Sequence, residues 1–344
     1  MRHTVLAASA LLAMLVTCGA PAEGQAAARG LRPRPLVLTH DGHWTGEAIC
    51  YGPFRDGQSP GGAGPTRAQV REDVHIMLRH WRLVRLYGSV GFADTLLSVI
   101  AAERLPMRVL LGVWLQPEDR RDSTGRVLES LPAGRAANEA EVQAALRLCR
   151  RYPKLVAGVS VGNETQVSWS WNRVPEAVLI ERIRQVRAGA RAPVSTADDM
   201  LYWRSPASRR VAAEVDFVFT HLHPLWGGQV LDSALAWSEA RYDEVRAMHP
   251  DRTVAIGEIG WATSKLTTGE QGQLIRGQVG EAEQKAFCDA ARAWVQRARI
   301  GAFFFEAFDE NWKGGNEPAE VEKHWGFYRA DRTPKAAVPR GDER

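Results

Sequence analysis

From about residue 47 onward the chain alternates short, nearly continuous apolar runs with longer segments of helical periodicity. Eight such runs occur, at 47–52, 83–87, 107–114, 155–162, 193–197, 215–220, 253–259 and 301–306. Most place valine, leucine, isoleucine or phenylalanine on consecutive positions, as parallel strands covered on both faces require. The segments 67–80, 93–104, 138–151, 176–188, 231–248 and 281–299 instead space apolar residues three and four apart with charges between, the pattern of amphipathic helices. Pro106 and Pro175 stand as punctuation before a strand and a helix. Eight strands alternating with helices predict a single α/β domain, a (β/α)8 TIM barrel. An open doubly wound sheet is the alternative, but Tyr51-Gly52-Pro53-Phe54 is not the glycine-rich phosphate turn that usually follows its first strand. No long helical segment follows the eighth run, so the last helix is expected to be short, missing or replaced.

A chain of 344 residues is long enough for one such barrel, and no linker, composition shift or repeat divides it. The formal charge of +4 is spread with both signs interspersed. No lysine- or arginine-rich stripe argues for nucleic acid. At the N-terminus Arg2 and His3 precede an apolar stretch from Val5 to Val16, with Ala20 and Ala22 after it. That is the composition of an export signal over residues 1–22, too short for a bilayer-spanning helix. Leu15-Val16-Thr17-Cys18 resembles a bacterial lipoprotein cleavage box, which would put a lipid anchor on Cys18. The expected layout is a signal at 1–22, an extension at 23–46, the barrel at 47–335 and a tail at 336–344, exported to the periplasm or beyond. Cys50, Cys149 and Cys288 remain, an odd number at wide spacing, and read as buried small hydrophobes rather than a disulfide or zinc framework.

Active sites of such barrels are built at the C-terminal ends of the strands. Two of those ends carry a glutamate: Glu164 closes the fourth strand and Glu258 sits at the end of the seventh. A lone glutamate is ordinarily a cap or a solvated loop charge. Two of them ending apolar strands, among Gly, Asn and Trp, suggest carboxylates facing one pocket, the equipment of glycoside hydrolysis. Of twelve tryptophans, seven fall at or just beyond strand ends: Trp114, Trp169, Trp171, Trp203, Trp226, Trp261 and Trp312. Around a barrel mouth they would offer flat platforms for sugar rings, although some will simply plug loops. Other strand ends supply Tyr51, Arg85, Tyr87, Asp198, Asp199, His221, His223, Glu306, Asp309, Glu310 and Lys313. Arg85 lies within an apolar strand, so a carboxylate partner is implied, with Glu258 the candidate. His221-Leu222-His223 could hold a metal, but no further histidine ligands lie at other strand ends; hydroxyl recognition by His223 is the preferred reading and no metal or other cofactor is expected. Asn163-Glu164-Thr165 also matches a glycosylation sequon, read as coincidence because a glycan there would plug the mouth.

Five motifs carry a family resemblance: 51–60 (Tyr-Gly-Pro-Phe-Arg-Asp-Gly-Gln-Ser-Pro), 84–88 (Val-Arg-Leu-Tyr-Gly), 161–164 (Val-Gly-Asn-Glu), 257–261 (Gly-Glu-Ile-Gly-Trp) and 305–313 (Phe-Glu-Ala-Phe-Asp-Glu-Asn-Trp-Lys). In this order they resemble glycoside hydrolase family 17, the β-1,3-glucanases and related glucanosyltransferases, in a bacterial, exported form. The resemblance implies a retaining mechanism with Glu164 as acid/base, Glu258 as nucleophile, and carboxyls about 5–5.5 Å apart. It also implies that Asn163 binds the sugar 2-hydroxyl and that Tyr51, Arg85, Glu306 and Lys313 line the cleft. Tyr87, Trp169, Trp171, His223, Trp261, Asp309 and Trp312 complete the expected sugar-binding set. A β-1,3-glucan hydrolase is the main reading and a transglycosylase with the same glutamates the close alternative. A silent glucan-binding barrel is a third, disfavoured because it needs neither glutamate. No protein partner is evident.

Overall fold

The computed structural model describes residues 31–339. The signal expected over 1–22, Cys18 included, lies outside them. Eight parallel strands close into a barrel: β1 (Glu47–Cys50), β2 (Leu83–Arg85), β3 (Arg108–Val113), β4 (Val156–Asn163), β5 (Val194–Asp199), β6 (Phe217–Leu222), β7 (Thr253–Ile259) and β8 (Ala302–Phe304). Each pairs with its sequence neighbours, and β8 returns to β1 through the register Phe304↔Ile49. The eight apolar runs are therefore the eight staves. They are shorter than the runs at β2 and β8, because the residues beyond leave the ladder to form the mouth.

Six long helices wrap the barrel: α1 (Arg67–Met77), α2 (Ala93–Glu103), α3 (Pro132–Arg151), α4 (Glu176–Gly189), α5 (Leu231–Met248) and α6 (Glu281–Ala298). Thr66 and Gln69 form a reciprocal capping box at the start of α1, satisfying two of its orphan donors. Helix α3 begins six residues earlier than its periodicity suggests, with Pro132 in the first turn, where its fixed φ suits a helix start. The short helices Met200–Trp203 and Arg209–Ala212, with the tight turn Pro206–Ser208 between them, stand between β5 and β6, and the short helix Gly269–Leu274 follows β7. After β8 comes a single turn of tight helix, Val321–Lys323, in place of an eighth helix.

The C-terminal segment fills the gap that this leaves. Arg332 reaches back to Asp73 of α1 with Nε to Oδ1 at 2.8 Å and Nη2 to Oδ2 at 2.7 Å. Arg55 and the Tyr51 hydroxyl donate to the same buried carboxylate, at 2.9 and 3.0 Å. Lys335 pairs with Asp309 at 2.7 Å. At the opposite, N-terminal face a strap runs under the barrel. Arg34 holds Asp216 through its backbone N–H and Nε at 2.8 and 2.9 Å, and Arg108 donates to the Val37 carbonyl at 3.1 Å. A small hairpin, Thr39–His40 with His43–Trp44, follows the strap into β1.

Inside the barrel Phe217, Phe219 and Phe303 meet edge to face at 5.6 and 5.3 Å. Arg85 lies 4.8 Å above the Phe219 ring, so an aromatic floor gives way directly to charge. Cys50, Cys149 and Cys288 are buried and unpaired, as their spacing suggests.

Candidate active site

The strands lose their regular pairing where the site begins. Register shifts fall between Thr220 and His221 of β6, between Ser160 and Asn163 of β4, and between Ile256 and Ile259 of β7. Such irregularities re-aim side chains at barrel rims. Glu164, the residue after β4, has a φ of 49°, in the left-handed region that a side chain rarely adopts. Its amide is held by the Ala197 carbonyl at 2.9 Å. Strained backbone of this kind persists where surrounding structure enforces it.

Glu258 is almost fully buried and encircled by donors. Its Oε1 accepts from Arg85 Nη1 at 3.1 Å and from the Tyr87 hydroxyl at 2.9 Å. Its Oε2 meets His223 Nε2 at 3.0 Å. Burial alone would favour the neutral acid, but the His223 hydrogen bond and the charge of Arg85 outweigh it and hold this carboxyl well below the usual carboxylate range. The reverse holds for His223: burial disfavours its charged form, yet the hydrogen bond and charge of Glu258 lift its affinity for a proton.

His221 joins the two glutamates. Fully buried, it sets Nδ1 2.8 Å from Glu164 Oε1 and Nε2 3.4 Å from Glu258 Oε1. Nε2 also lies 3.1 Å from Arg85 Nη1. A guanidinium can only donate, so Nε2 is the accepting nitrogen and Nδ1 carries the hydrogen toward Glu164. Arg85 donates in addition to Asn163 Oδ1 at 2.6 Å and the Gly257 carbonyl at 2.8 Å. Arg85, Asn163, Glu164, His221, His223, Tyr87 and Glu258 are thus one connected cluster spanning four strand ends.

A second cluster follows β8. Lys313 grips both oxygens of buried Glu306, at 2.6 and 2.7 Å, and Glu310 at 3.0 Å. Burial opposes its charge, but the two carboxylates more than offset this and keep the ammonium protonated. Trp226 donates to Glu322 at 3.0 Å. Around the rim Trp169, Trp171 and Trp312 are exposed, the most open being Trp171 at 73%. Trp171 lies 6.0 Å from Trp114, and Trp312 stands edge to face with Phe54 at 5.8 Å.

Four expected mouth residues face elsewhere. Tyr51 is buried with its hydroxyl on Asp73 of α1, because its neighbour Cys50 points inward, to the Gly257 carbonyl, and alternate strand positions take opposite faces. Trp261 is buried against Phe287 of α6, its indole donating to the Gln278 carbonyl at 3.0 Å. Asp309 is turned to Lys335 and the Gly326 amide. Trp203 packs in the helix layer, donating to the Phe219 carbonyl. Tyr87 and His223, expected to touch sugar, are bonded to Glu258. The linking role of His221 and the presence of Glu322 near Lys313 are the features that strand-end position alone does not reveal. Glu322 sits in the turn after β8, where no apolar run marks it.

Ligand atoms of His221, His223 and Glu258 lie within 4.8 Å of one another, close enough to converge on a cation. The Arg85 guanidinium, 3.1 Å from both His221 and Glu258, already supplies a fixed positive charge there and opposes a second one. The donor set therefore fits an anion-stabilising role better than metal binding.

Comparison with known proteins yields a consistent set of likenesses. The family model described as the BtgE/BtgC glycoside hydrolase domain matches residues 48–326. A glucan 1,3-beta-glucosidase of Arthroderma benhamiae is 27% identical over 289 residues, 80% of this chain and 86% of the relative. One from Schizosaccharomyces pombe is 27% identical over 278 residues, 76% of this chain and 78% of the relative. Among solved structures, an endo-laminarinase from Formosa superposes with a TM-score of 0.72 at 22% identity, covering 85% of each chain. A Rhizomucor miehei beta-1,3-glucanosyltransferase, solved as an active-site mutant with laminaritriose, gives 0.66 at 22% identity over 85% of this chain and 96% of that one.

Proposed function

Since the chain belongs to the family of BtgE/BtgC glycoside hydrolase domains, we propose that it is an exported enzyme that cleaves β-1,3-glucan with retention through a covalent glycosyl-enzyme. The observation that carries this reading is the asymmetry between two glutamates sharing one imidazole. Glu258 is ringed by Arg85, Tyr87 and His223 and held anionic, as a nucleophile must be. Its Oε2 has one close partner where Oε1 has two, which makes Oε2 the freer atom for attack on the anomeric carbon. Glu164 has to begin protonated to release the leaving group. With the His221 N–H donating to Oε1, the proton of Glu164 is left on Oε2, the oxygen not occupied by the ring. After attack, Glu164 is the anion, and it then draws a proton from water as Glu258 is freed.

In this reading Asn163, fixed by Arg85, offers its amide N–H to the sugar 2-hydroxyl. Lys313 and the exposed Trp169, Trp171 and Trp312 line the cleft. The relatives' names, glucan 1,3-beta-glucosidase and endo-laminarinase, support β-1,3-glucan as substrate. A second reading, transfer to another glucan rather than to water, is favoured by the open Trp171–Trp114 pair on the Glu164 side, a platform that an acceptor sugar could occupy. The export reading rests on the composition of residues 1–22; none of the described helices is long and apolar enough to cross a membrane.

The deciding experiment is a time course with linear β-1,3-gluco-oligosaccharides read by mass spectrometry. Shorter products alone establish hydrolysis, and products longer than the substrate establish transfer. No change would overturn the proposal. Glu258→Ala should abolish turnover while leaving the fold intact. Glu164→Ala with azide and an activated leaving group should give the β-glycosyl azide; an α-azide would refute retention.

A further inference from the structure

Cations that look dispersed in the sequence gather on one face of the folded chain. In a (β/α)8 barrel each helix hands over to the next strand at the face opposite the catalytic mouth. The return from α3 to β4 carries Arg147, Arg150, Arg151 and Lys154, and that from α4 to β5 carries Arg184, Arg187 and Arg191; neither contains an acidic residue. Arg151, Arg184 and Arg187 are engaged by Asp94, Glu214 and Asp216. Arg147, Arg150, Lys154 and Arg191 are exposed and have no ion pair among the described residues, nor do Arg104 at the end of α2 and Arg32 in the strap. The strap ties these positions together, since Arg187 donates to the Arg32 carbonyl at 3.0 Å and Arg34 to the Ala190 carbonyl at 2.5 Å. Six unpaired cations on one side compare with a net charge of +4 for the whole sequence.

Helix dipoles explain part of this, because a cation in a last turn is stabilising. They do not explain Arg32, Lys154 and Arg191, which lie beyond the helices. We infer that this face docks on the anionic headgroup surface of a lipid bilayer, with the catalytic mouth turned away. Charge complementarity is one argument. The second is where the described chain begins: Leu31 and Arg32 open the strap at this face, so the lipid anchor that the sequence suggests on Cys18 would bring the basic face toward the bilayer. Val37, 46% exposed in the same strap, adds an apolar contact among the cations. Each cation near an anionic bilayer contributes on the order of a fivefold gain in binding.

Purified protein is sedimented with vesicles of phosphatidylcholine alone and with vesicles in which a third of the lipid is phosphatidylglycerol. Binding is expected only to the second, weakening as salt rises. Reversing four charges together (Arg147→Glu, Arg150→Glu, Lys154→Glu, Arg191→Glu) should lower partitioning by about a hundredfold or more. Near-UV circular dichroism checks that this variant is folded, and each single reversal, with about a fivefold loss, keeps the test decisive if it is not. Reversal of the exposed Arg276, in the loop after β7, should change nothing. Equal binding to both vesicles, or binding indifferent to the four reversals, would overturn the inference. Retention by dextran sulfate without vesicle binding would overturn it too, in favour of a soluble polyanion.

Discussion

At the scale of single residues, Gly257 measures how tightly the charged cluster is packed. A Cβ there would lie 2.9 Å from His221 Cδ2 and 3.2 Å from Arg85 Nη1, so both side chains would have to move. Gly257→Ala is expected to cost about 1–3 kcal/mol of stability and most of the activity, read by urea unfolding alongside a glucan assay. His221→Ala makes a sharper distinction. If its N–H directs the proton of Glu164, kcat should fall roughly a hundredfold on natural glucan. Aryl glycosides with an activated leaving group, which need no acid, should be nearly spared. Equal losses on both substrates would mean that His221 acts through Arg85 and Glu258 instead. The sequence makes Glu164, Glu258 and the Arg85 partnership legible, because charge at the end of an apolar strand needs an explanation. Tyr51 and Trp261 are illegible for a related reason: strand-end position fixes a residue's height in the barrel but not its face.

At the scale of elements, the staves are readable because β-rich, doubly buried runs look the same in sequence as in the sheet. The hairpin pairing Asp119–Arg121 with Val127–Ser130 is not, since most of its residues are exposed and no apolar alternation marks it. Neither is the C-terminal segment, whose hold on the barrel rests on two buried cations, Arg332 and Lys335. Removing its anchor by Asp73→Ala strands Arg332 and Arg55 and should destabilise the fold by about 3–5 kcal/mol, checked by urea midpoints. The return from α1 to β2 carries a pH dependence. Burial, reinforced by the charges of Arg292, Arg79 and Arg82, pulls the His80 imidazole down to about 4. The unfolded chain binds that proton near pH 6.5, so stability falls as the pH drops from about 6.5 toward 4. His80→Phe should flatten the curve across that window and leave it unchanged above.

At the scale of the whole molecule, the barrel divides its work between two ends. Acidic groups and aromatic rims occupy one face; unpaired arginines and the strap occupy the other. This polarity is hidden in the sequence because its unpaired cations come from four separate segments, the strap and the ends of α2, α3 and α4, and only closure of the barrel brings them to one end. A chelator test belongs at this scale as well. With Arg85 supplying the positive charge at Glu258, exhaustive treatment with EDTA should leave glucan turnover unchanged, and restoration of a lost rate by added zinc would contradict the assignment.

The left-handed backbone of Glu164 has a consequence for inheritance. Glycine takes up that conformation freely, but removing the carboxyl also strands the buried His221 N–H that it accepts from. That hydrogen bond is lost equally in Glu164→Gly and Glu164→Ala, so the glycine variant should be the more stable of the two by about 1 kcal/mol, measurable as a higher unfolding midpoint in chains that no longer turn over glucan. A lineage relieved of the need to cut glucan would lose this glutamate to glycine at less cost than to a residue with a side chain.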